Sequence, residues 1–230
     1  MVEIGAGLGA LTRPLLERAE RVIAIERDRD LVPVLRSELA PALESGRLSV
    51  EEADAKAADW LALLASGPRP HLIAGNLPYQ ITGPLLEKLT GLASAIDRAA
   101  VLVQREVAER LTAEPGAENW GGLSVFVQAQ FVPARAFIVR KGAFYPQPGV
   151  DSALVVLEPR RPAVAETAAF RTLVHAAFAQ RRKKLRNAWQ GVAEPAELQL
   201  LAARAGIDLD QRGETLAVAA FARMAEALEP

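Results

Sequence analysis

The sequence contains no cysteine, which excludes disulfide bridges and thiolate metal ligands. Histidine is scarce as well: His71 and His175 lie far apart without ligand-like neighbours, so we expect no metal site. No apolar run is long enough to span a bilayer, and the N-terminus lacks the basic and apolar stretches of a secretory signal. We therefore expect a cytoplasmic protein that contacts no membrane.

The chain also has little net charge, because 27 Lys and Arg residues nearly balance 28 Asp and Glu residues. Nucleic-acid-binding domains are usually basic, so the overall charge argues against a nucleic-acid partner. The segment Arg181-Arg182-Lys183-Lys184-Leu185-Arg186 is a local exception. A partner must therefore be inferred from local features and not from the total charge.

Strand-like apolar runs alternate with helical patterns in the first half of the chain. The runs end at Ile4, Glu26, Asn76 and Gln104, and a shorter one spans residues 48–54. This alternation predicts an α/β fold with a doubly wound, Rossmann-like, mostly parallel sheet.

Two further strand patterns, over residues 134–140 and 152–158, look antiparallel and predict a hairpin at the edge of that sheet. Beyond Arg160-Arg161-Pro162 the pattern is entirely helical. We therefore predict one domain over residues 1–159 and a small helical domain over residues 160–230.

A glycine-rich turn, Gly5-Ala6-Gly7-Leu8-Gly9, follows the first strand. Glycine lets the backbone pass close to a ligand, as in nucleoside-binding turns. Glu26 ends the second strand, where an acid can bind both ribose hydroxyls, and Asp54 ends the third, where a carboxylate can accept from an adenine amino group. The turn alone suits S-adenosylmethionine and also satisfies the loose dinucleotide fingerprint.

Each of these residues also has a purely structural interpretation. A tight glycine turn need not bind any ligand, and an acid at the end of a strand is often simply solvated. This second alternative applies most strongly to Glu3, which lies just before the glycine turn.

The corner Asn76-Leu77-Pro78-Tyr79 follows the fourth strand and distinguishes between the two cofactors. The amino nitrogen of adenine is a poor nucleophile because its lone pair is delocalised into the ring. The Asn76 side-chain oxygen and the Leu77 carbonyl can accept its two hydrogens, with Pro78 fixing the turn and Tyr79 stacking on the base. This chemistry favours S-adenosylmethionine and leaves the corner unexplained in a nicotinamide-dependent dehydrogenase.

Four more segments carry a family resemblance: Val103 to Leu111, Gly122 to Val125, Gly142 to Ala153, and Phe178 to Asn187. With these, the chain resembles the S-adenosylmethionine-dependent dimethyltransferases of small-subunit (16S) ribosomal RNA from Val2 to near its end. Lys184 departs from the family, which usually has a small polar residue there.

The resemblance implies a set of site residues. For the cofactor it implies Glu3, Gly5, Gly7, Glu26, Asp54 and Asn76. For catalysis it implies Asn76, Leu77, Pro78, Tyr79 and Phe144, the last as a second aromatic wall for the target base. A core phenylalanine in a proline-rich loop is the alternative for Phe144.

The implied reaction is dimethylation of N6 on two adjacent adenines in a 3′-terminal hairpin of 16S rRNA, within the assembling small subunit. The cofactor would be S-adenosylmethionine, the product S-adenosylhomocysteine, and the protein a monomer. Five basic residues can cover a wide arc of one helix and bind RNA phosphates, although a solvated helix face is the alternative: Arg181, Arg182, Lys183, Lys184 and Arg186.

The family begins with a segment whose Gln-Asn-Phe-Leu motif closes over the cofactor. Met1 here falls inside the first predicted strand. From the sequence we expect an N-terminal truncation and a weakened affinity for S-adenosylmethionine.

Two alternative functions stay open at this point. The large-subunit rRNA methyltransferases that confer macrolide resistance share the Asn-Leu-Pro-Tyr type of corner. A non-catalytic, RNA-binding assembly factor would keep the fold without the reaction.

Overall fold

The computed structural model describes residues 1–180 and 182–229, and over these residues seven strands form one sheet. The strands are β1 Val2–Ile4, β2 Val22–Glu26, β3 Leu48–Glu52, β4 Leu72–Asn76, β5 Arg98–Gln104, β6 Phe131–Val139 and β7 Ser152–Pro159. Their order across the sheet is β3-β2-β1-β4-β5-β7-β6.

The first five strands run parallel, and β7 pairs antiparallel with β5. The predicted fold class, a doubly wound sheet with an antiparallel edge, is confirmed. From β1 the chain continues toward one edge of the sheet, to β2, and from β4 it continues toward the other edge, to β5. The strand order therefore reverses between β1 and β4, which are neighbours. Ligands of open α/β sheets bind at this point, beyond the carboxyl ends of the strands.

Helices connect the strands and continue beyond them. They are α1 Thr12–Arg18, α2 Leu31–Glu38, α3 Ala40–Glu44, α4 Trp60–Ala65, α5 Thr82–Thr90, α6 Arg105–Leu111, α7 Gly122–Gln130, α8 Ala168–Ala179, α9 Leu185–Ala188, α10 Pro195–Ala205 and α11 Val218–Leu228. Short 3-10 turns span Tyr79–Ile81, Lys141–Ala143 and Gly213–Thr215. Among the described helices, none has the length and apolar character needed to cross a membrane.

The chain divides into two compact units. The first comprises Met1–Ala108 and Val132–Pro159, and the second comprises Glu109–Phe131 and Arg160–Pro230. This differs from the expected division at residue 160, because the segment containing α7 belongs to the helical unit. Its apolar side chains Trp120, Val125 and Ala129 are buried in that unit's core.

Each unit has its own core. In the first, α1 and α2 pack against β2 and β3 through aliphatic residues such as Leu16, Val22 and Leu35. In the second, two buried tryptophans each satisfy their indole nitrogen: Trp120 donates to the Leu216 carbonyl at 3.1 Å and Trp189 to the Leu173 carbonyl at 2.9 Å. Large apolar rings with a satisfied polar atom anchor a small helical core well.

Candidate active site at the carboxyl edge of the sheet

The glycine turn lies between β1 and α1, at the point where the strand order reverses. Gly5 and Gly7 have φ values of +73° and +56°, a region that side chains with a Cβ rarely adopt. A Cβ on Gly5 would lie 3.4 Å from the backbone oxygen of Asn76. The turn and the corner after β4 are therefore in direct contact, while nothing lies within 4 Å of a Cβ placed on Gly7.

Glu26 fixes the turn from the end of β2. Its carboxylate accepts from the Gly7 backbone at 2.8 Å and from the backbone nitrogens of Arg27 and Asp28 at 2.9 Å each. The acid predicted to bind ribose is therefore held beside the glycine turn.

Asp54 follows β3 at the same edge of the sheet. Its Oδ1 accepts from the Lys56 backbone nitrogen at 2.9 Å, and Oδ2 lies 3.6 Å from the Arg27 guanidinium. The Asp54 side chain keeps 30% of its surface exposed, so it can still accept a bond from a ligand.

Glu3 is fully buried in the central strand β1, which excludes the interpretation that it is a solvated strand-end acid. Neither of its carboxylate oxygens has a hydrogen-bond partner, and the buried hydroxyl of Thr12 has none either. Burial raises the pKa of Glu3 to about 7 from its ordinary value of 4.5. The nearby Thr12 hydroxyl opposes the rise in pKa, and the negative charge of Glu26 adds to it.

The corner after β4 presents two acceptors without partners. Asn76 is exposed at the end of the strand, and within the described chain its side chain makes no hydrogen bond. The Leu77 nitrogen donates to the Leu102 carbonyl at 3.0 Å, which fixes the corner to β5. The Pro78 carbonyl accepts from Ile81 and Thr82, whereas no described donor is bonded to the Leu77 carbonyl.

Tyr79 is anchored by a residue of the antiparallel edge of the sheet. Its hydroxyl lies 2.7 Å from the Ser152 hydroxyl, and Ser152 is fully buried at the start of β7. The ring of Tyr79 is half-buried. One hydrogen bond thus fixes the orientation of the ring from a residue 73 positions away.

Phe144 is half-buried in the loop that joins β6 to β7, immediately after the 3-10 turn Lys141–Ala143. The Asp151 carboxylate accepts from the Lys141 backbone nitrogen at 2.9 Å and so ties the two ends of this loop together. The neighbouring Tyr145 is fully exposed. The position of Phe144 opposite Tyr79 stays a prediction.

The model of the ribosomal RNA adenine dimethylase family matches residues 1–229. The chain belongs to this family. It is 45% identical over 240 residues to the ribosomal RNA small subunit methyltransferase A of Anaeromyxobacter sp. (strain K), an alignment that covers 99% of this chain and 83% of that protein. The protein of the same name from Xanthomonas campestris pv. campestris (strain B100) is 42% identical, over 98% of this chain and 84% of its own length.

Solved structures of related enzymes match this dimethylase over nearly its whole length. A dimethyladenosine transferase from Plasmodium falciparum aligns with a TM-score of 0.77 and 25% identity, over 97% of this chain and 87% of that one. The 23S rRNA methyltransferase ErmE aligns with a TM-score of 0.72 and 26% identity, over 100% of this chain and 90% of ErmE. The higher identity to proteins named for the small subunit confirms the predicted branch of the family and the prediction of an enzyme.

The described part of the basic run does not lie on one helix, which corrects the prediction from the sequence. Arg181 lies outside the described residues, Arg182 and Lys183 occupy a turn after α8, and α9 begins only at Leu185. Of the run's described basic residues only Arg186 lies in a helix, so residues 182–186 form no continuous helical arc.

A carboxylate neutralises part of this run. Lys184 Nζ lies 2.9 Å from one oxygen of Asp210, and Arg186 bonds to the other oxygen. The bond from Lys184 lowers the pKa of Asp210, desolvation opposes this effect, and the charges of Arg186 and Lys184 add to the lowering. Over the described residues, Arg182 and Lys183 form no salt bridge.

Sequence reasoning missed two functional candidates, Ser152 and Asp210. Ser152 lies inside the segment Gly142 to Ala153, which resembles the family, so the sequence did mark its neighbourhood as functional. Its contact with Tyr79, however, depends on the pairing of β5 with β7. Nothing near the basic run in sequence indicated Asp210.

Three observations fit S-adenosylmethionine at this site. The space next to Gly7 is open, and the buried carboxylate of Glu3 has no hydrogen-bond partner. Glu26 ends β2, and Asp54 follows β3. The described residues contain no cluster of three or more side chains suited to a metal ion.

Proposed function

We propose that this chain transfers methyl groups to N6 of two adjacent adenines in a 3′-terminal hairpin of 16S rRNA, in the assembling small subunit. The observation that carries the proposal is the pair of free acceptors at the corner after β4, in contact with the glycine turn. S-adenosylmethionine would supply the electrophilic methyl group and leave as S-adenosylhomocysteine. We also propose that the protein acts in the cytoplasm as a monomer.

The two acceptors address the weakness of the nucleophile. The Asn76 side-chain oxygen and the Leu77 carbonyl each accept one hydrogen of the adenine amino group. Two such bonds favour a pyramidal nitrogen whose lone pair is localised and directed away from the corner. The bond from the Leu77 nitrogen to β5 holds the corner in place before the substrate binds. The two acceptors can therefore set the direction of the lone pair on the adenine nitrogen as soon as the base enters the site.

The target base has to leave its stack before these acceptors can reach it. Tyr79 offers an aromatic face at the corner, and Phe144 in the loop between β6 and β7 is the proposed second face. Glu26 and Asp54 are proposed to bind the ribose and the adenine of the cofactor. No general base is required, because the methylated nitrogen is acidic and releases its proton to water.

The direct test is a transfer assay with isotopically labelled S-adenosylmethionine and small subunits that lack the modification. We expect label in the 16S rRNA and a saturable calorimetric titration with the cofactor. Cofactor binding without any transfer would contradict the proposed reaction, and RNA binding without cofactor binding would favour an assembly factor.

The hydrogen bond between Tyr79 and Ser152 is expected to support the rate of transfer. Ser152→Ala and Tyr79→Phe each remove the same bond, worth about 0.5–1.5 kcal/mol, so each should lower the single-turnover rate by roughly 2- to 12-fold. The double variant should be no slower than the slower single variant, because one interaction is removed in all three. Calorimetry should show unchanged cofactor affinity.

Ser45→Ala is the matched control, since this serine is exposed at the end of α3. Additive losses in the double variant would show that the two hydroxyls act separately.

The basic run is proposed to bind RNA phosphates, and Asp210 competes for two of its cations. Asp210→Asn should therefore tighten binding to unmodified small subunits and steepen the dependence of log affinity on log salt. Each additional phosphate that the run binds should add about 0.7–0.9 to the slope. Asp208→Asn is the control, because Asp208 accepts a backbone bond from residue 210 and, among the described residues, forms no salt bridge. Equal or weaker binding by Asp210→Asn would show that the paired cations do not reach RNA.

A further inference from the structure

The outer strand β6 and the loop that follows it expose an unusual combination of side chains. Phe137 is 57% exposed, Tyr145 is fully exposed, and the cations Arg135, Arg140 and Lys141 are exposed as well. These five residues are called the β6 surface below. All of them belong to the compact unit that carries the glycine turn and the Asn76 corner.

The β6 surface has charge of one sign only. Residues 132–150 contain three cations and no carboxylate. Over the described residues none of these cations forms a salt bridge, in contrast to Lys184 and Arg186. The two acids that follow this segment in the hairpin have other partners. Asp151 accepts a hydrogen bond from the Lys141 backbone nitrogen, and Glu158 forms a salt bridge with Arg98 at 2.6 Å.

The strand geometry places a cation beside an aromatic ring. Side chains two positions apart point to the same side of a strand, about 7 Å from each other along it, so Arg135 and Phe137 share one face. A ring for stacking next to a cation for phosphate is the combination with which proteins bind single-stranded nucleic acid.

The β6 surface also continues into the proposed site. β6 ends at Val139, and Arg140 leads into the Lys141–Ala143 turn, after which comes Phe144. The bond from Lys141 to Asp151 fixes the start of this loop. A strand of RNA whose base stacks on Phe144 would therefore have neighbouring nucleotides within reach of β6.

We propose that the β6 surface binds the single-stranded RNA next to the target adenines, as a second RNA contact separate from the basic run of the helical unit. The proposal rests on the proposed function. In it, Arg135, Arg140 and Lys141 bind phosphates, and Phe137 stacks on a base that flanks the target.

Charges on an edge strand have another known use, which is to prevent strand pairing between molecules. The test separates the two roles by comparing Arg135→Gln/Arg140→Gln with a control pair, Arg18→Gln/Arg204→Gln. Arg18 and Arg204 are exposed on helices, and the described residues offer neither of them a salt bridge. Affinity for unmodified small subunits is measured over a series of salt concentrations at constant magnesium, with sedimentation to monitor aggregation.

We expect the β6 pair to reduce the slope of log affinity against log salt by about 1.4, because two phosphates of single-stranded RNA, at about 0.7 each, are no longer neutralised. The control pair should leave the slope unchanged. Phe137→Ala should weaken binding on the order of tenfold with little change in slope, and Leu200→Ala, a control at an exposed aliphatic residue of α10, should not weaken it.

The proposal is overturned if the β6 pair keeps the full slope, if it only increases aggregation, or if the control pair reduces the slope equally. Methyl transfer by the unaltered chain is measured in the same experiment. If that chain transfers methyl groups while the β6 variants bind normally, the surface proposal fails and the proposed function stands. If the unaltered chain transfers nothing, the proposed function itself fails.

Discussion

Asn76→Ala is expected to slow methyl transfer by about 100-fold or more at saturating cofactor, while the protein stays folded. The side chain is exposed and makes no hydrogen bond within the described chain, so little stability is lost with it. What is lost is one of the two acceptors that we propose hold the adenine amino group. Removing one preorganised polar contact from a transition state typically costs about 100- to 1,000-fold in rate. Single-turnover kinetics and thermal unfolding, measured together, check both parts.

Two further variants sharpen this prediction. Asn76→Asp keeps an acceptor oxygen in nearly the same place, so it should retain more activity than Asn76→Ala. Gln80→Ala removes an exposed amide immediately after the corner and should leave the rate unchanged. If Asn76→Ala kept most of its rate, the role of the corner would have to be abandoned.

Glu3 is expected to make stability depend on pH in the direction opposite to that of an ordinary salt-bridged acid. Its pKa of about 7 in the folded chain exceeds its ordinary value of 4.5, so the folded state retains a proton that the unfolded state releases between these values. The free energy of unfolding should therefore fall as pH rises from 4.5 to about 7, and level off above that. The shift corresponds to about 3 kcal/mol.

Glu3→Gln removes this titration. The stability of the variant relative to the unaltered chain should improve by about 3 kcal/mol between about pH 4 and about pH 8, as measured by denaturant unfolding. Glu17→Gln, at an exposed position of α1, should show no such change. A constant difference between the Glu3 variant and the unaltered chain across this pH range would mean that the buried carboxyl does not titrate there.

Much of the nucleoside-binding half could be predicted because its signals are local. Buried parallel strands appear as short apolar runs, and the residues that end them, Glu26 and Asn76, meet at one edge whatever the details of packing. The contact between Gly5 and the Asn76 backbone follows from the neighbouring positions of β1 and β4.

The missed features depend on packing between distant parts of the chain. The apolar pattern of α7 does not indicate which core it joins, and only the contacts of Trp120 and Val125 place it with the helical unit. The basic run looked like one helix face because its residues are all compatible with a helix. The structure ends α8 before it and pairs Lys184 with Asp210, 26 positions away, which no local pattern reveals.

The burial of Glu3 was also beyond the reach of local reasoning. An acid at the end of a strand is normally solvated, and its full burial follows from the central position of β1 between β2 and β4. An unpartnered carboxyl at this place is a departure from the rule that buried polar groups are satisfied, and such departures concentrate at functional sites.

The most direct test of the central claim is nucleoside analysis of 16S rRNA after incubation of unmodified small subunits with this protein and S-adenosylmethionine. The account predicts two residues of N6,N6-dimethyladenosine per subunit, at adjacent positions in the 3′-terminal hairpin, and almost none with Asn76→Ala. Methylation at another atom or another site, or equal product from the Asn76 variant, would contradict it.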